Sequence, residues 1–176
     1  MYYGEKVCLR AYKKEDIEKA YKFMNDAELK KFLVTTIPFP MTLWEEEDFI
    51  KSQKSNNNGN YNFAITDTIT GKYIGGCGIQ QVNWLARVAT VGIMIGDKEY
   101  WGKGFGTDAM KVLIKFIFEE MNINKIRLNT FSFNERAIKC YKKCGFEVEG
   151  ILKNEIFKGG KYYDKVLMSL FNSNQI

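Results

Sequence analysis

The sequence predicts an α/β protein of the α+β type, with an open, mixed, mostly antiparallel sheet flanked by helices. Three observations predict it. Between residues 61 and 95 the chain carries three β-patterned runs with turn-like breaks, which implies a meander of antiparallel neighbours. The last of these, Val88–Ile95, is followed by a long amphipathic helix and a further β run, Lys125–Phe131. A strand–helix–strand unit of that kind implies a parallel pair with a right-handed crossover. Finally, 176 residues with 45% hydrophobic and 27% charged content make one globular domain, taken as 1–176, with a sizeable core.

The elements follow in order. Val7–Ala11 alternates and predicts a short first strand. Glu15–Met24 sets Ile17, Ala20, Tyr21 and Met24 at helical spacing, and Leu29, Phe32 and Leu33 mark a second short helix. Pro38 and Pro40 then interrupt the chain, because proline lacks a backbone donor and clashes with a preceding helical turn. Thr42 followed by Glu45 is a capping-box pattern that starts a helix running to about Lys54. Ser55-Asn56-Asn57-Asn58-Gly59-Asn60 reads as a polar loop between ordered elements. Tyr61–Thr66, Tyr73–Val82 and Val88–Ile95 read as strands, the first two joined by a turn at Asp67–Gly71.

After a glycine-rich turn from Tyr100 to Gly106, Thr107–Met121 places Ala109, Met110, Leu113, Ile114, Phe116 and Ile117 on one broad helix face. Lys125–Phe131 is the next strand. Asn134–Cys144 reads as a helix capped by Asn134 and stopped by Gly145. Glu147–Phe157 and Lys161–Phe171 are strands that meet at Lys158-Gly159-Gly160.

Composition excludes several chemistries. The chain has 26 Lys plus Arg, 21 Asp plus Glu, a net charge of +5 and no histidine. Without histidine there is no Ser-His-Asp or Cys-His nucleophile system within the chain, and no His-ligated metal site. Proton transfer must use Tyr, Cys, Lys, a carboxylate or water. The basic residues are diffuse, with Lys13-Lys14, Lys30-Lys31 and Lys142-Lys143 the densest spots, so a solvated surface is expected and nucleic-acid binding is not. Binding with a steep salt slope would support that weaker reading. Cys8, Cys77, Cys140 and Cys144 form no CxxC pair, so the expectation is four reduced thiols in a cytoplasmic protein, with no metal. The first residues lack an apolar signal-peptide core and no apolar stretch approaches a membrane span, so neither a signal peptide nor a membrane helix is expected.

Two segments carry chemistry. In Trp101-Gly102-Lys103-Gly104-Phe105-Gly106-Thr107, glycines on alternate positions let backbone approach a ligand, and the helix that follows opens with unpaired amides. Together they suit a phosphate or pyrophosphate. The spacing is neither a Walker A loop nor GxGxxG, and taken alone the segment reads equally well as a turn without ligand. The second segment runs from Asn134 to Phe146. Helix cap, helix stop and core anchor account for Asn134, Gly145 and Phe146. They account less well for Tyr141, one helical turn after Ala137, because a buried phenol needs a partner.

These residues resemble the GNAT superfamily of N-acetyltransferases. The likeness covers most of the chain and is strongest from Ala89 to Phe171. Ala89-Thr90-Val91-Gly92, then Ile95-Gly96-Asp97-Lys98-Glu99-Tyr100 running into the Trp101–Thr107 segment, is similar to that family's fourth strand and pyrophosphate loop. Asn134-Glu135-Arg136-Ala137 with Tyr141, then Gly145-Phe146-Glu147-Val148-Glu149-Gly150, is similar to its second motif. The likeness is greatest to the RimJ/RimL and spermidine-acetyltransferase branch.

The resemblance implies a splayed central parallel pair, acetyl-CoA as donor and a primary amine as acceptor. It places the pantetheine arm between Ile93-Met94-Ile95 and Arg127–Phe131, with Asn129 on the facing strand. Free edge amides there can bond the arm and polarise the thioester carbonyl. It seats the pyrophosphate on the amides from Gly102 to Thr107, adds Asn134 and Ala137 to the cofactor contacts, and makes Tyr141 the acid that protonates the departing thiolate. The thiol pKa of about 8.5 lies within reach of a phenol. Attack by a neutral amine in a ternary complex needs no covalent enzyme intermediate, so the cysteines need not take part.

Two positions depart from the family pattern. Trp101 stands where Gln or Arg is common, and Thr90 stands where the branch often has a Glu that serves as base. Thr90 cannot be that base, although its hydroxyl can hold a water, so the base is unassigned. Glu149, Glu155 and Asp164 are candidates by topology, each with the competing reading of a solvated strand carboxylate. Glu45-Glu46-Glu47-Asp48 reads first as acids favoured by a helix start, and second as a group attracting a cationic amine. Phe39, Trp44 and Phe49 read as packing residues, with an acceptor-pocket role as the alternative.

The expected function is therefore acetyl transfer to a protein N-terminus, a polyamine or another small amine. The alternative is a non-catalytic acyl-CoA-binding module on the same fold, motivated by Thr90. A homodimer is also compatible, since exposed sheet edges are often paired.

Overall fold

The computed structural model describes residues 1–33, 36–53 and 60–173. The expected helix end near Lys54 and the polar run from Ser55 to Gly59 lie outside the described residues.

The strands are β1 (Tyr2–Tyr3), β2 (Val7–Arg10), β3 (Tyr61–Asp67), β4 (Tyr73–Asn83), β5 (Val88–Ile95), β6 (Lys125–Phe131), β7 (Glu147–Lys158) and β8 (Lys161–Phe171). The helices are α1 (Ile17–Asn25), α2 (Ala27–Leu33), α3 (Leu43–Ser52), α4 (Phe105–Glu120) and α5 (Glu135–Lys143). One sheet runs in the order β1-β2-β3-β4-β5-β6-β8-β7. Every neighbouring pair is antiparallel except β5–β6. The mixed sheet with one parallel pair is as the sequence predicts.

The differences from expectation are local. Two residues are too short to show a period, so β1 emerges only through pairing of Tyr2 with Leu9 and of Tyr3 with Cys8. The first long strand ends at Arg10 rather than Ala11, where Arg10 turns its guanidinium onto Asp16 at 2.7 and 2.8 Å. The first helix is divided into a 3-10 turn, Lys14–Asp16, and α1. α4 begins at Phe105 instead of Thr107, because Gly104 at φ +88° turns the chain directly into the helix. The β7–β8 hairpin closes on Gly159 and Gly160, at φ +55° and +79°. Two positive φ values in a two-residue loop match the twist of the flanking strands, which is why the diglycine sits there.

Side-chain alternation divides the core between the two sheet faces. Ile65, Ile74, Val91, Leu113, Ile117 and Ile126 belong to the larger cluster, under α4 and α5. Their strand neighbours Ala64 and Tyr73 point the other way, into a smaller cluster with Ile17, Ala20 and Phe23 of α1, Leu29 of α2 and Ile50 of α3. Burying each large aliphatic side chain contributes about 1.5–3 kcal/mol, so the larger cluster dominates stability.

Candidate active site

The site is created where a ladder stops. β5 and β6 pair at Val88–Lys125, Ala89–Ile126 and Thr90–Arg127 and no further. Beyond Thr90, β5 remains on β4, with Met94 opposite Gly76 and Ile95 opposite Gly75. β6 remains on β8, with Asn129 opposite Leu167 and Phe131 opposite Lys165. Each strand is held by its outer neighbour, so the inner edges part without either strand unravelling, and they present unpaired backbone groups. The β4–β5 ladder also shifts register between Ile79 and Gln81, the kind of irregularity that bends a strand.

A cavity of about 980 Å³ occupies this gap. It reaches both faces of the sheet: Ala137 and Tyr141 line it from the α5 side, and Tyr12, Leu29 and Tyr73 from the α1–α3 side. Glycines clear its floor. A Cβ on Gly76 would lie 2.2 Å from the Tyr12 hydroxyl, and one on Gly78 2.3 Å from Asn62 Oδ1.

The glycine loop enters α4 through Gly102 and Gly104, at φ +72° and +88°. The first helical bond runs from the Asp108 amide to the Gly104 carbonyl at 2.9 Å. The amides of Phe105, Gly106 and Thr107 precede that ladder and, at the positive end of the helix dipole, form a seat for an anion. Ile93, Met94, Ile95, Trp101, Gly102, Gly104, Gly106, Thr107, Asn129, Asn134, Ala137 and Tyr141 all line the cavity. The Lys103 and Phe105 side chains are not part of that lining. Phe105 packs edge-on against Tyr100 at 4.7 Å, and Lys103 gives its carbonyl to Lys6 Nζ at 3.1 Å.

Trp101 is locked in place. Its indole N–H donates to the Ile95 carbonyl at 2.7 Å, and the Arg136 guanidinium lies 3.5 Å from its ring centroid. Arg136, Lys139 and Lys143 add three cations to the α5 wall, which sequence reasoning missed. Their i, i+3, i+7 spacing was a readable signal, since such residues share a helix face.

Asn134 caps α5 by accepting from the Ala137 amide at 3.3 Å. The helix it starts carries Tyr141, which is 7% exposed and edge-on to Phe146 at 6.0 Å. The Tyr141 hydroxyl makes no hydrogen bond to any of the described residues and is not sealed from solvent. Burial raises its pKa above the ordinary phenol value, so it is protonated at neutral pH.

The base candidates do not converge here. Thr90 accepts from Arg127 Nε at 2.9 Å and does not line the cavity. Glu149 pairs with Lys125, Glu155 with Lys165 at 3.6 Å and Asp164 with Lys153 at 2.8 Å, all away from the cavity.

The acidic run on α3 separates into different roles. Glu45 completes the capping box with Thr42, and Glu47 pairs with Lys51 at 2.9 Å. Glu46 is 4% exposed and lines the cavity. The packing expected of Phe39 and Trp44 is overturned: they are 81% and 69% exposed, Phe39 in the segment before α3 and Trp44 on its first turn, where no core of the described residues covers them. Phe49 lines the cavity, edge-on to Tyr12 at 6.2 Å.

Known proteins resemble this chain in sequence and in fold. Residues 6–147 match the family model of the acetyltransferase (GNAT) domain. The spermidine N(1)-acetyltransferase of Escherichia coli (strain K12) is 28% identical over 165 residues, covering 94% of this chain and 86% of that protein. An uncharacterised N-acetyltransferase of Bacillus licheniformis is 28% identical over 169 residues, covering 96% of this chain and 94% of its own. The crystal structure of spermidine N-acetyltransferase from Vibrio cholerae in complex with CoA and spermine aligns with a TM-score of 0.84 at 26% identity, over 95% of this chain and 96% of that one. With residues 6–147 matched and strands parted around an anion seat and a buried phenol, the chain belongs to the GNAT acetyltransferase family.

Proposed function

We propose that the protein transfers the acetyl group of acetyl-CoA to a primary amine of a small acceptor, by direct attack in a ternary complex. The observation that carries this reading is the one continuous cavity through the β5–β6 gap, with the anion seat and Tyr141 on one side and the α1–α3 face on the other. The amides from Gly102 to Thr107 hold the pyrophosphate, with Arg136, Lys139 and Lys143 nearby to balance phosphate charge. The free edge at Ile93, Met94 and Ile95, facing Asn129, holds the pantetheine and turns an amide toward the thioester oxygen. Asn134 and Ala137 shape the wall beside it.

The neutral amine attacks the thioester carbonyl, a C–N bond forms, the C–S bond breaks, and the amine proton passes to solvent. Tyr141 gives its proton to the thiolate that leaves and takes one back from solvent before the next turnover. The absence of histidine is no obstacle, because a phenol suits a leaving thiol. Relatives named for spermidine acetylation support a polyamine as the first acceptor to try.

Calorimetry with acetyl-CoA, followed by a CoA-release screen over polyamines, amino acids, amino sugars and N-terminal peptides, tests the reading. Binding with turnover on an amine is the expected result. Binding without turnover on any of the four classes would instead identify an acyl-CoA-binding module.

A further inference from the structure

We propose that Glu46 is the acceptor-anchoring carboxylate: it binds a positively charged nitrogen of the amine substrate, other than the nitrogen that is acetylated. This rests on the acetyltransferase reading above and adds what the cavity selects, namely acceptors with a second basic nitrogen.

Glu46 stands out among the buried acids. Asp16 receives Arg10 and the Lys13 amide, and Asp67 receives the Ile69 amide and the Thr70 and Tyr100 hydroxyls. Glu46 is as buried as these at 4% exposure, yet its carboxylate has no hydrogen bond or ion pair with the described residues. It lies one helical turn before the buried Ile50, so α3 holds it on its inward side, facing the cavity. The Glu46 carboxylate is open to the cavity rather than sealed, but it is largely removed from bulk water, and burial raises its pKa accordingly. A cation entering the cavity supplies the missing partner.

The surroundings fit an alkylammonium. Tyr12, Phe49 and Tyr73 line the same end of the cavity, with Tyr12 edge-on to Phe49 at 6.2 Å and to Tyr73 at 6.1 Å. Aromatic faces beside a carboxylate are the usual means of holding such a cation. Arg10 does not compete, because both its terminal nitrogens are bound to Asp16. Glu46 is the acid on the acceptor side of the cavity; the α5 wall carries Arg136, Lys139 and Lys143 together with Glu135, which pairs with Lys139 at 3.3 Å, and so keeps a net positive charge. The Tyr12 hydroxyl covers Gly76, which pairs with Met94 on the free β5 edge. The Glu46 cluster therefore lies along the wall that leads to the thioester seat.

The test compares wild type with Glu46→Gln, which keeps side-chain shape and removes the charge. Spermidine is the polyamine probe, n-butylamine the single-nitrogen control, and a thermal melt checks the fold. Losing one charge-assisted contact raises KM for spermidine about 10- to 100-fold with kcat nearly kept. KM for n-butylamine and the affinity for CoA stay the same, and Glu46→Asp recovers part of the loss. In wild type alone, spermidine has a KM about tenfold or more below that of n-butylamine. Calorimetric titration of spermidine into the CoA complex reads the same anchor without turnover, and separates the two ideas. Spermidine binding that Glu46→Gln abolishes, in a wild type that transfers no acetyl group, keeps the anchor and sinks the transferase reading. An unchanged spermidine KM, or an equal loss of kcat on both amines at constant KM, overturns the anchor.

Discussion

Replacing Tyr141 with phenylalanine removes one oxygen atom and nothing that holds the fold together. The hydroxyl has no hydrogen bond to the described residues, while the ring packs against Phe146 in the larger core. Stability should therefore change by about 0.5 kcal/mol or less, a shift in Tm of about 2 °C at most for a chain of this length. The reaction should respond very differently. Losing a general acid lowers kcat about 10²- to 10⁴-fold, equivalent to about 2.7–5.5 kcal/mol of barrier. Acetyl-CoA affinity should hold, because the phenol acts on the leaving sulfur and not on the phosphates.

The assay is chromatographic measurement of CoA formed from acetyl-CoA and an amine, with calorimetry for the Kd. pH adds an independent reading. An acid works in its protonated form, below its pKa, and burial moves the Tyr141 pKa upward. The wild-type kcat should then rise with pH as the amine loses its proton, with no falling limb below about pH 10. A Tyr141→Phe enzyme with unchanged kcat, or a wild-type falling limb centred well under that pH, would refute the assignment.

Other outcomes follow from single contacts. Gly75→Ala puts a Cβ 2.0 Å from the Met94 carbonyl oxygen, a backbone atom that cannot yield without opening the β4–β5 ladder. It should destabilise by about 1–3 kcal/mol and lower Tm by about 3–10 °C; an unaltered melt would contradict the register. Cys140 lines the cavity near Gly106, and hydrogen bonding from the Cys144 and Thr107 side chains lowers its pKa from the ordinary thiol value. Cys8 and Cys77 are buried. Iodoacetamide should therefore label Cys140 ahead of those two, and acetyl-CoA should slow that reaction. Peptide mapping that found Cys77 modified first, or no protection, would count against CoA in this cavity.

Legibility in the sequence followed the range of the interactions. The Thr42–Glu45 capping box, the Asn134 cap and the diglycine turn rest on contacts within a few residues, and the structure contains all three. The strand–helix–strand unit was readable from the period of each segment and the handedness of such crossovers, although its β5–β6 pairing is long-range. The two-residue β1 was not, because it exists only through its pairing with β2. Nor was the exposure of Phe39 and Trp44, since hydrophobic residues predict packing only if another element covers them. Glu149, Glu155 and Asp164 on β7 and β8 follow the solvated-carboxylate reading, each paired with a lysine and none lining the cavity, because strand order alone does not say which residues the gap between β5 and β6 exposes.

By itself the sequence determined the order of elements, the glycine loop before α4 and the pairing of Asn134 with Tyr141 on one short helix. These depend on backbone preference and helical period, which local spacing expresses. The tertiary structure decided where the β5–β6 ladder stops, and so where the cavity opens, because that depends on β4 and β8 holding the two strands apart. It also decided which acid of Glu45-Glu46-Glu47-Asp48 turns inward. Four successive helical residues point around the whole circumference, and only the packing of α3 against α1 and the sheet selects Glu46.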